Sequence, residues 1–110
     1  MDWHYLFLDF DGRIGRRDWW TGAIILFLAS IIGGWLFGDG FIGWVISVLM
    51  LIPTLGVHIK RFHDRGKSGW WVLIVFVPVI GFIWMIVDLG ILEGDPGPNR
   101  FGPPPAPVVS

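Results

Sequence analysis

The sequence predicts an all-α membrane protein with three transmembrane helices, and the placement of its charged residues carries this prediction. Residues 19–38, 40–59 and 68–87 contain no Asp, Glu, Lys or Arg. Each stretch has the roughly 20 residues that a helix needs to cross the hydrocarbon core of a bilayer. Because lipid offers no hydrogen bonds to the backbone, each stretch is expected to be an α-helix.

These stretches leave little sequence for a second folded unit. Hydrophobic residues make up 54% of the 110 residues. We expect residues 1–102 to form a single membrane domain, with an irregular segment rich in Gly and Pro after the third helix. Residues 103–110 are rich in proline and are predicted to be a disordered tail.

A short interfacial helix is predicted before the first transmembrane helix. Trp3, Leu6, Phe7 and Phe10 recur at the spacing of one helical face, and Asp2 precedes them as a cap. We expect this helix to lie along the inner leaflet, with its aromatic face at the boundary of the acyl chains.

The basic residues predict the orientation in the membrane. Only Arg100 lies on the side opposite to the other basic residues, which are Arg13, Arg16, Arg17, Lys60, Arg61, Arg65 and Lys67. Short loops rich in Lys and Arg stay in the cytoplasm. The N-terminus and the loop over residues 60–67 are therefore expected inside, and Asp39 and the C-terminal tail outside.

The first predicted transmembrane helix carries a stripe of small residues. Ser30, Gly34 and Gly38 recur every four residues, a spacing that lets another backbone approach closely. The preferred interpretation is a packing contact with the second or third helix. A dimer face is the alternative.

Several kinds of chemistry are disfavoured. The chain has no Cys and a formal net charge of −1, so thiolate sites and phosphate-tracking nucleic-acid binding are not expected. The three stretches contain no Asp, Glu, Lys or Arg, and His58 lies near the inner end of the second, which disfavours a proton pump. His58 and His63 are five residues apart and do not share a helical face as zinc ligands would. We therefore expect no metal, no cofactor and no nucleic acid.

The inner face offers one candidate binding surface. Its residues bear the cations, the imidazole and the hydroxyl that suit an anionic lipid headgroup, and they are Arg13, Arg16, Arg17, Arg61, His63, Lys67 and Ser68. The alternative is that the basic residues only set the topology. Asp64 is predicted to be a structural polar hub that contacts Arg13, Arg16 or Arg61 through bidentate hydrogen bonds.

Four motifs in order resemble a known family. They are residues 10–20 (FDGRIGRRDWW), residues 61–71 (RFHDRGKSGWW), Pro78 with Gly81, and Gly94 with residues 97–102 (GPNRFG). Together they resemble the bacterial inner-membrane family called domain of unknown function 805. The resemblance implies a small multi-pass protein of the inner membrane and brings no established activity. The chain departs from the family pattern in a very short first loop and in Trp19, where Tyr is usual.

Three functions are compatible with these features. The preferred one is a non-enzymatic interaction or scaffold module whose partners are the bilayer, anionic phospholipid or another membrane protein. A subunit of a transporter or pore is the second, and it would require a homo-oligomer, since three short helices cannot enclose a polar path. An interfacial enzyme that uses His63 and Asp64 is the third.

Overall fold

The computed structural model describes residues 2–105, and its secondary structure is helical. It contains α1 (Trp3–Leu8), α2 (Arg16–Phe37), α3 (Phe41–Asp64), a 3-10 helix (Gly69–Phe76) and α4 (Ile80–Met85), which continues as a π-helix (Ile86–Ile91). Within the described residues there is no strand, and one isolated β-bridge pairs Asn99 with Gly102. Residues 106–110, part of the predicted disordered tail, lie outside the described residues.

Helices α2 and α3 are both long and apolar enough to cross a membrane. With 22 and 24 residues, they are roughly 33 and 36 Å long at 1.5 Å per residue. A three-residue turn at 38–40 joins them, and Gly38 adopts a positive φ of 64° there. This antiparallel pair supplies helices of the predicted kind, long and apolar, over the first two of the three predicted transmembrane stretches.

The third apolar stretch is not one continuous helix, so a third transmembrane helix over residues 68–87 is not confirmed. The chain reverses at residues 77–79, where the Ile80 N–H donates to the Pro78 carbonyl at 2.7 Å across Val79, whose φ is 66°. The two arms then pack together, with Trp71 stacked on Trp84 at 5.6 Å. We call Gly69–Ile91 the returning segment.

This reversal places both ends of the returning segment at one end of the molecule. Its arms are roughly 16 and 18 Å long, about half the thickness of the hydrocarbon core. At the C-terminal end of the returning segment, the carbonyls of Leu89 and Ile91 accept hydrogen bonds from Arg61 and Arg16, respectively. The prediction that the tail lies opposite the basic loops is therefore wrong, because the chain turns back at Pro78 instead of bending and continuing.

Helix α1 is present and begins as predicted. The Asp2 carboxylate accepts a hydrogen bond from Tyr5 N at 2.9 Å, which caps the helix. Trp3 remains 42% exposed, whereas Leu6 is fully buried. The helix therefore packs against the protein on one side instead of resting on lipid alone.

The buried apolar core lies at the same end as α1. Its members come from every helix except the 3-10 helix, and from the segment between α1 and α2: Leu6, Ile14, Trp19, Leu26, Val57, Phe62, Met85 and Leu89. We call this the basic end, since residues 12–17, 60–68 and 93–102 also meet there. The opposite end, at residues 38–40, is called the turn end.

Candidate functional site

The central feature of the basic end is a buried cluster of Asp64 with two arginines. Arg13 Nε donates to Asp64 Oδ1 at 3.0 Å, and Arg61 Nη1 donates to Asp64 Oδ2. Asp64, Arg13 and Arg61 are 3%, 2% and 0% exposed. The structure thus contains the predicted contacts of Asp64 with Arg13 and Arg61, whereas Arg16 instead donates to the Ile91 carbonyl. We call these three side chains the Asp64 cluster.

The guanidinium groups of Arg13 and Arg61 also donate hydrogen bonds to the C-terminal segment. Arg13 donates to the carbonyls of Asp95, Gly97 and Gly102 at 2.7–3.1 Å. Arg61 donates to the carbonyls of Leu89 and Leu92, both at 2.7 Å. Because backbone carbonyls are the acceptors, the arginines fix the path of the chain without regard to its side chains.

Gly94 lets the chain pass close to Asp64. The Asp95 N–H donates to the Asp64 carbonyl at 2.6 Å. A Cβ atom at Gly94 would lie 1.9 Å from Asp64 Oδ2. This segment was predicted on the other side of the membrane, so its role could not be recognised, although Gly94 in the family motif was a signal of a close approach.

Arg13 is held in place by its backbone as well. The Tyr5 hydroxyl accepts from Arg13 N and donates to the Arg13 carbonyl, each at 3.0 Å. Burial raises the pKa of this hydroxyl, so it stays protonated and keeps its donor. Gly12 has a φ of 95°, and a Cβ there would lie 2.2 Å from the Tyr5 hydroxyl oxygen. Gly12 is therefore required by conformation and by space.

His63 lies beside the cluster but serves a different contact. Its Nδ1 is 2.9 Å from the Gly12 carbonyl, and its ring stacks on Phe101 at 3.9 Å. Asn99 Nδ2 donates to the His63 carbonyl at 2.9 Å. No hydrogen bond joins His63 to Asp64 within the described residues, so the structure does not assemble the general-base pair considered from sequence.

Lys60 is fully buried although it was counted among the loop cations. Its Nζ donates to the Leu6 carbonyl at 2.9 Å and lies 4.5 Å from the centre of the Tyr5 ring. It therefore caps the C-terminal end of α1 and joins that helix to α3.

The predicted lipid-binding residues separate into two groups. Arg13, Arg61 and His63 are buried, and contacts inside the protein occupy the two guanidinium groups and His63 Nδ1, which speaks against their assignment to a lipid headgroup. The other four are at least partly exposed: Arg16, Arg17, Lys67 and Ser68. Ser68 stands at the start of the 3-10 helix, where its side chain makes no capping hydrogen bond.

Sequence reasoning missed a second polar group at the basic end. Asp88, which is 5% exposed, accepts from Arg65 Nε at 2.8 Å and from Lys67 Nζ at 3.2 Å. It follows the third uncharged stretch directly, and this position gave no indication that the chain had turned back toward Arg65.

The stripe of small residues does not hold two backbones together. A Cβ at Gly34 or Gly38 would meet nothing within 4 Å, and the Ser30 hydroxyl donates to Leu26 of its own helix. These residues line an open groove of about 270 Å³ between α2 and α3. The close approach occurs instead at Gly22, where a Cβ would lie 3.1 Å from Val57.

Across residues 2–105, no group of three or more His, Asp or Glu side chains is arranged to hold a metal ion. The carboxylates of Asp64 and Asp88 are instead paired with Arg and Lys.

The sequence matches an established family over most of its length. The family profile described as "Protein of unknown function (DUF805)" matches residues 7–103. This span includes α2, α3, the returning segment and the segment bound by Arg13 and Arg61. No solved structure matches the chain.

Curated relatives come from Escherichia coli. The chain is 31% identical to "Inner membrane protein YhaH" of strain K12 over 120 residues, which cover 96% of this chain and 97% of the relative. It is 33% identical to "Inner membrane protein YhaI" over 107 residues, which cover 90% and 87%. It is 30% identical to "Uncharacterized protein YiiR" over 121 residues, which cover 84% and 83%.

Proposed function

We propose a function for this chain from the premise that it belongs to the DUF805 family, whose relatives are inner membrane proteins. The proposal is a non-enzymatic interaction module of the bacterial inner membrane. Its loops and C-terminal segment lie together at the cytoplasmic face, where exposed cations contact the phosphates of anionic lipids.

The observation that carries the proposal is the collection of all basic residues at one end. The sequence contains eight Lys and Arg residues, and seven of them lie in or beside the two basic loops. Arg100 joins them, because it packs on Phe101, which stacks on His63. With no basic residue at the turn end, the positive-inside rule favours a cytoplasmic basic end.

The exposed and buried cations have separate roles in this proposal. Arg13, Lys60 and Arg61 are buried and hold the fold together. Arg16 and Arg17 are exposed at the start of α2, which enters the bilayer from this end. They therefore stand at the level of the lipid phosphates, where each basic residue near an anionic surface contributes about 1 kcal/mol.

The apolar surface supports the membrane placement. Trp35 and Phe41 near the turn end are 83% and 77% exposed, and Trp70 of the returning segment is 79% exposed. Apolar patches of this extent are rare on monomeric soluble proteins. In a membrane, lipid acyl chains cover these apolar patches.

The test is lipid retention by a double variant, Arg16→Gln with Arg17→Gln. We expect affinity for phosphatidylglycerol in nanodiscs or detergent to fall by about 2 kcal/mol, roughly thirtyfold. The control, Arg16→Lys with Arg17→Lys, keeps both charges and is expected to keep the affinity. Equal binding by the wild type and the Gln variant would show that these cations serve topology alone.

A further inference from the structure

A groove of about 510 Å³ opens between the basic end and the returning segment. Its polar wall is formed by Arg65, Lys67 and Asp88, and its apolar wall includes Ile80, Ile83 and Trp84. The apolar wall continues away from the basic end along α4, whose Ile80 and Ile83 are 61% and 56% exposed. The groove thus offers charged groups at one end and apolar surface along its length.

Asp88 has unused hydrogen-bonding capacity in the wall of this groove. Both hydrogen bonds from Arg65 and Lys67 reach its Oδ1 atom. Its Oδ2 atom is buried and has no partner among residues 2–105. Because buried carboxylate oxygens are almost always hydrogen-bonded, Oδ2 is available to a donor from outside the protein, either water or a bound molecule.

The charges of the polar wall indicate the sign of the charge on the bound molecule. Arg65 and Lys67 supply two positive charges and Asp88 one negative charge, which leaves one positive charge to be balanced. The side chains of Arg65 and Lys67 are 21% and 23% exposed, so both cations reach the groove. A phosphodiester carries the single negative charge that balances the site.

We infer that this groove binds an anionic phospholipid whose headgroup carries a free hydroxyl. The phosphate contacts Lys67 and Arg65, the hydroxyl donates to Asp88 Oδ2, and an acyl chain lies along Ile83 and Trp84. An ammonium headgroup fits less well, because it would bring a third positive charge beside Arg65 and Lys67. The inference deepens the proposed function and rests on it.

The first test uses the wild-type protein and two lipids that differ in the free hydroxyls of the headgroup. Phosphatidylglycerol and phosphatidylethanol carry the same charge, but only the glycerol headgroup has free hydroxyls. We expect native mass spectrometry to show about tenfold tighter binding of phosphatidylglycerol, as one hydrogen bond to a charged acceptor would give. Equal binding, or tighter binding of phosphatidylethanolamine than of phosphatidylglycerol, would overturn the inference.

The second test assigns the preference to the groove. Asp88→Asn removes the carboxylate charge while keeping the size of the side chain, and we expect it to abolish the preference for phosphatidylglycerol over phosphatidylethanol. Asp39→Asn at the turn end is the matched control and is expected to keep the tenfold preference. A preference that survives in Asp88→Asn would overturn the assignment.

A variant on the apolar wall tests the groove without disturbing its ion pairs. Ile83→Trp places a larger side chain at an exposed position, so folding should not depend on it. We expect this variant to lose at least half of the phosphatidylglycerol that the wild type retains. Undiminished retention would overturn the groove as the binding site.

The two proposals fail in different ways. Arg16→Gln with Arg17→Gln is expected to weaken both anionic lipids while leaving their ratio near ten. If the wild type binds phosphatidylglycerol and phosphatidylethanol strongly and with equal affinity, the groove inference is contradicted and the proposed function is not. Absence of anionic lipid binding by the wild type would sink the proposed function with it.

Discussion

The basic end of this molecule is held by buried, hydrogen-bonded polar groups, whereas the turn end consists of exposed apolar side chains. At the basic end, Asp64, Arg13 and Arg61 are buried and bind the backbone of residues 89–102. At the turn end, a Cβ on Gly34 would touch nothing, and Trp35 is 83% exposed. The difference indicates that protein contacts fix the fold at one end, while lipid covers the helices at the other.

The physics of the bilayer explains this division. Apolar side chains gain little by leaving lipid for a protein interior, so burial alone does not hold α2 against α3 near Gly34. Polar groups that are withdrawn from water must instead find partners, and the buried guanidiniums find them in Asp64 and in backbone carbonyls. The basic end therefore carries the specificity of the fold.

The largest effect is expected from Asp64→Asn. This change leaves Arg13 and Arg61 buried without their shared counter-charge, and removing one partner of a buried ion pair costs about 3–5 kcal/mol. The fraction of monodisperse protein after heating in detergent, measured by size-exclusion chromatography, would report the loss.

Asp39→Asn is the matched control for that change. Asp39 is exposed in the turn between α2 and α3, so its neutralisation is expected to alter thermal stability by less than about 0.5 kcal/mol. If both variants melt like the wild type, the basic end does not carry the stability assigned to it.

A smaller loss is expected from Gly94→Ala. The new methyl group would overlap Asp64 Oδ2, which cannot move away because Arg13 and Arg61 both hold the carboxylate. Overpacking of this kind costs about 1–3 kcal/mol. Gly97→Ala, where a Cβ meets nothing within 4 Å, should melt like the wild type. Equal melting temperatures for the two variants would contradict the close passage of the tail.

The smallest effect separates the two halves of the α2–α3 pair. Gly22→Ala would press on Val57, where the added Cβ lies 3.1 Å from a methyl group, and should cost about 1 kcal/mol. Gly34→Ala should be neutral or slightly stabilising, because Ala is the better helix former. Destabilisation by Gly34→Ala in membranes but not in detergent would show that a second chain covers the groove beside it.

Much of the helical framework was accessible from sequence. The long uncharged stretches predicted α2 and α3, and the apolar spacing with Asp2 predicted α1. The contacts of Asp64 with Arg13 and Arg61 followed from placing two basic segments at one membrane level. Each of these predictions rests on the composition or spacing of one segment, or on the order of the segments along the chain.

The returning segment could not be recognised from charge and length. Residues 68–87 are uncharged over 20 positions, and a hairpin with two apolar arms has the same composition as one straight helix. Pro78 was interpreted as a bend. The additional signal was Gly81, where a Cβ would lie 2.0 Å from the Ile74 carbonyl oxygen, but the need for Gly becomes evident only once the two arms are known to meet.

The roles of the individual arginines were also hidden. Arg13, Arg16 and Arg17 share one loop and one charge, and the positive-inside rule treats them alike. Their separation into buried and exposed residues depends on the C-terminal segment, whose carbonyls bind Arg13. That segment was expected on the far side of the membrane, so its partners could not be identified.

The most direct test asks whether the tail and the basic loops share one side of the membrane. The chain has no Cys, so single cysteines introduced at Arg17, Pro98 and Asp39 can be labelled in spheroplasts with a membrane-impermeant maleimide. We expect Asp39→Cys to be labelled and both Arg17→Cys and Pro98→Cys to be protected until the membrane is opened. Labelling of Pro98→Cys together with Asp39→Cys, while Arg17→Cys stays protected, would contradict the returning segment.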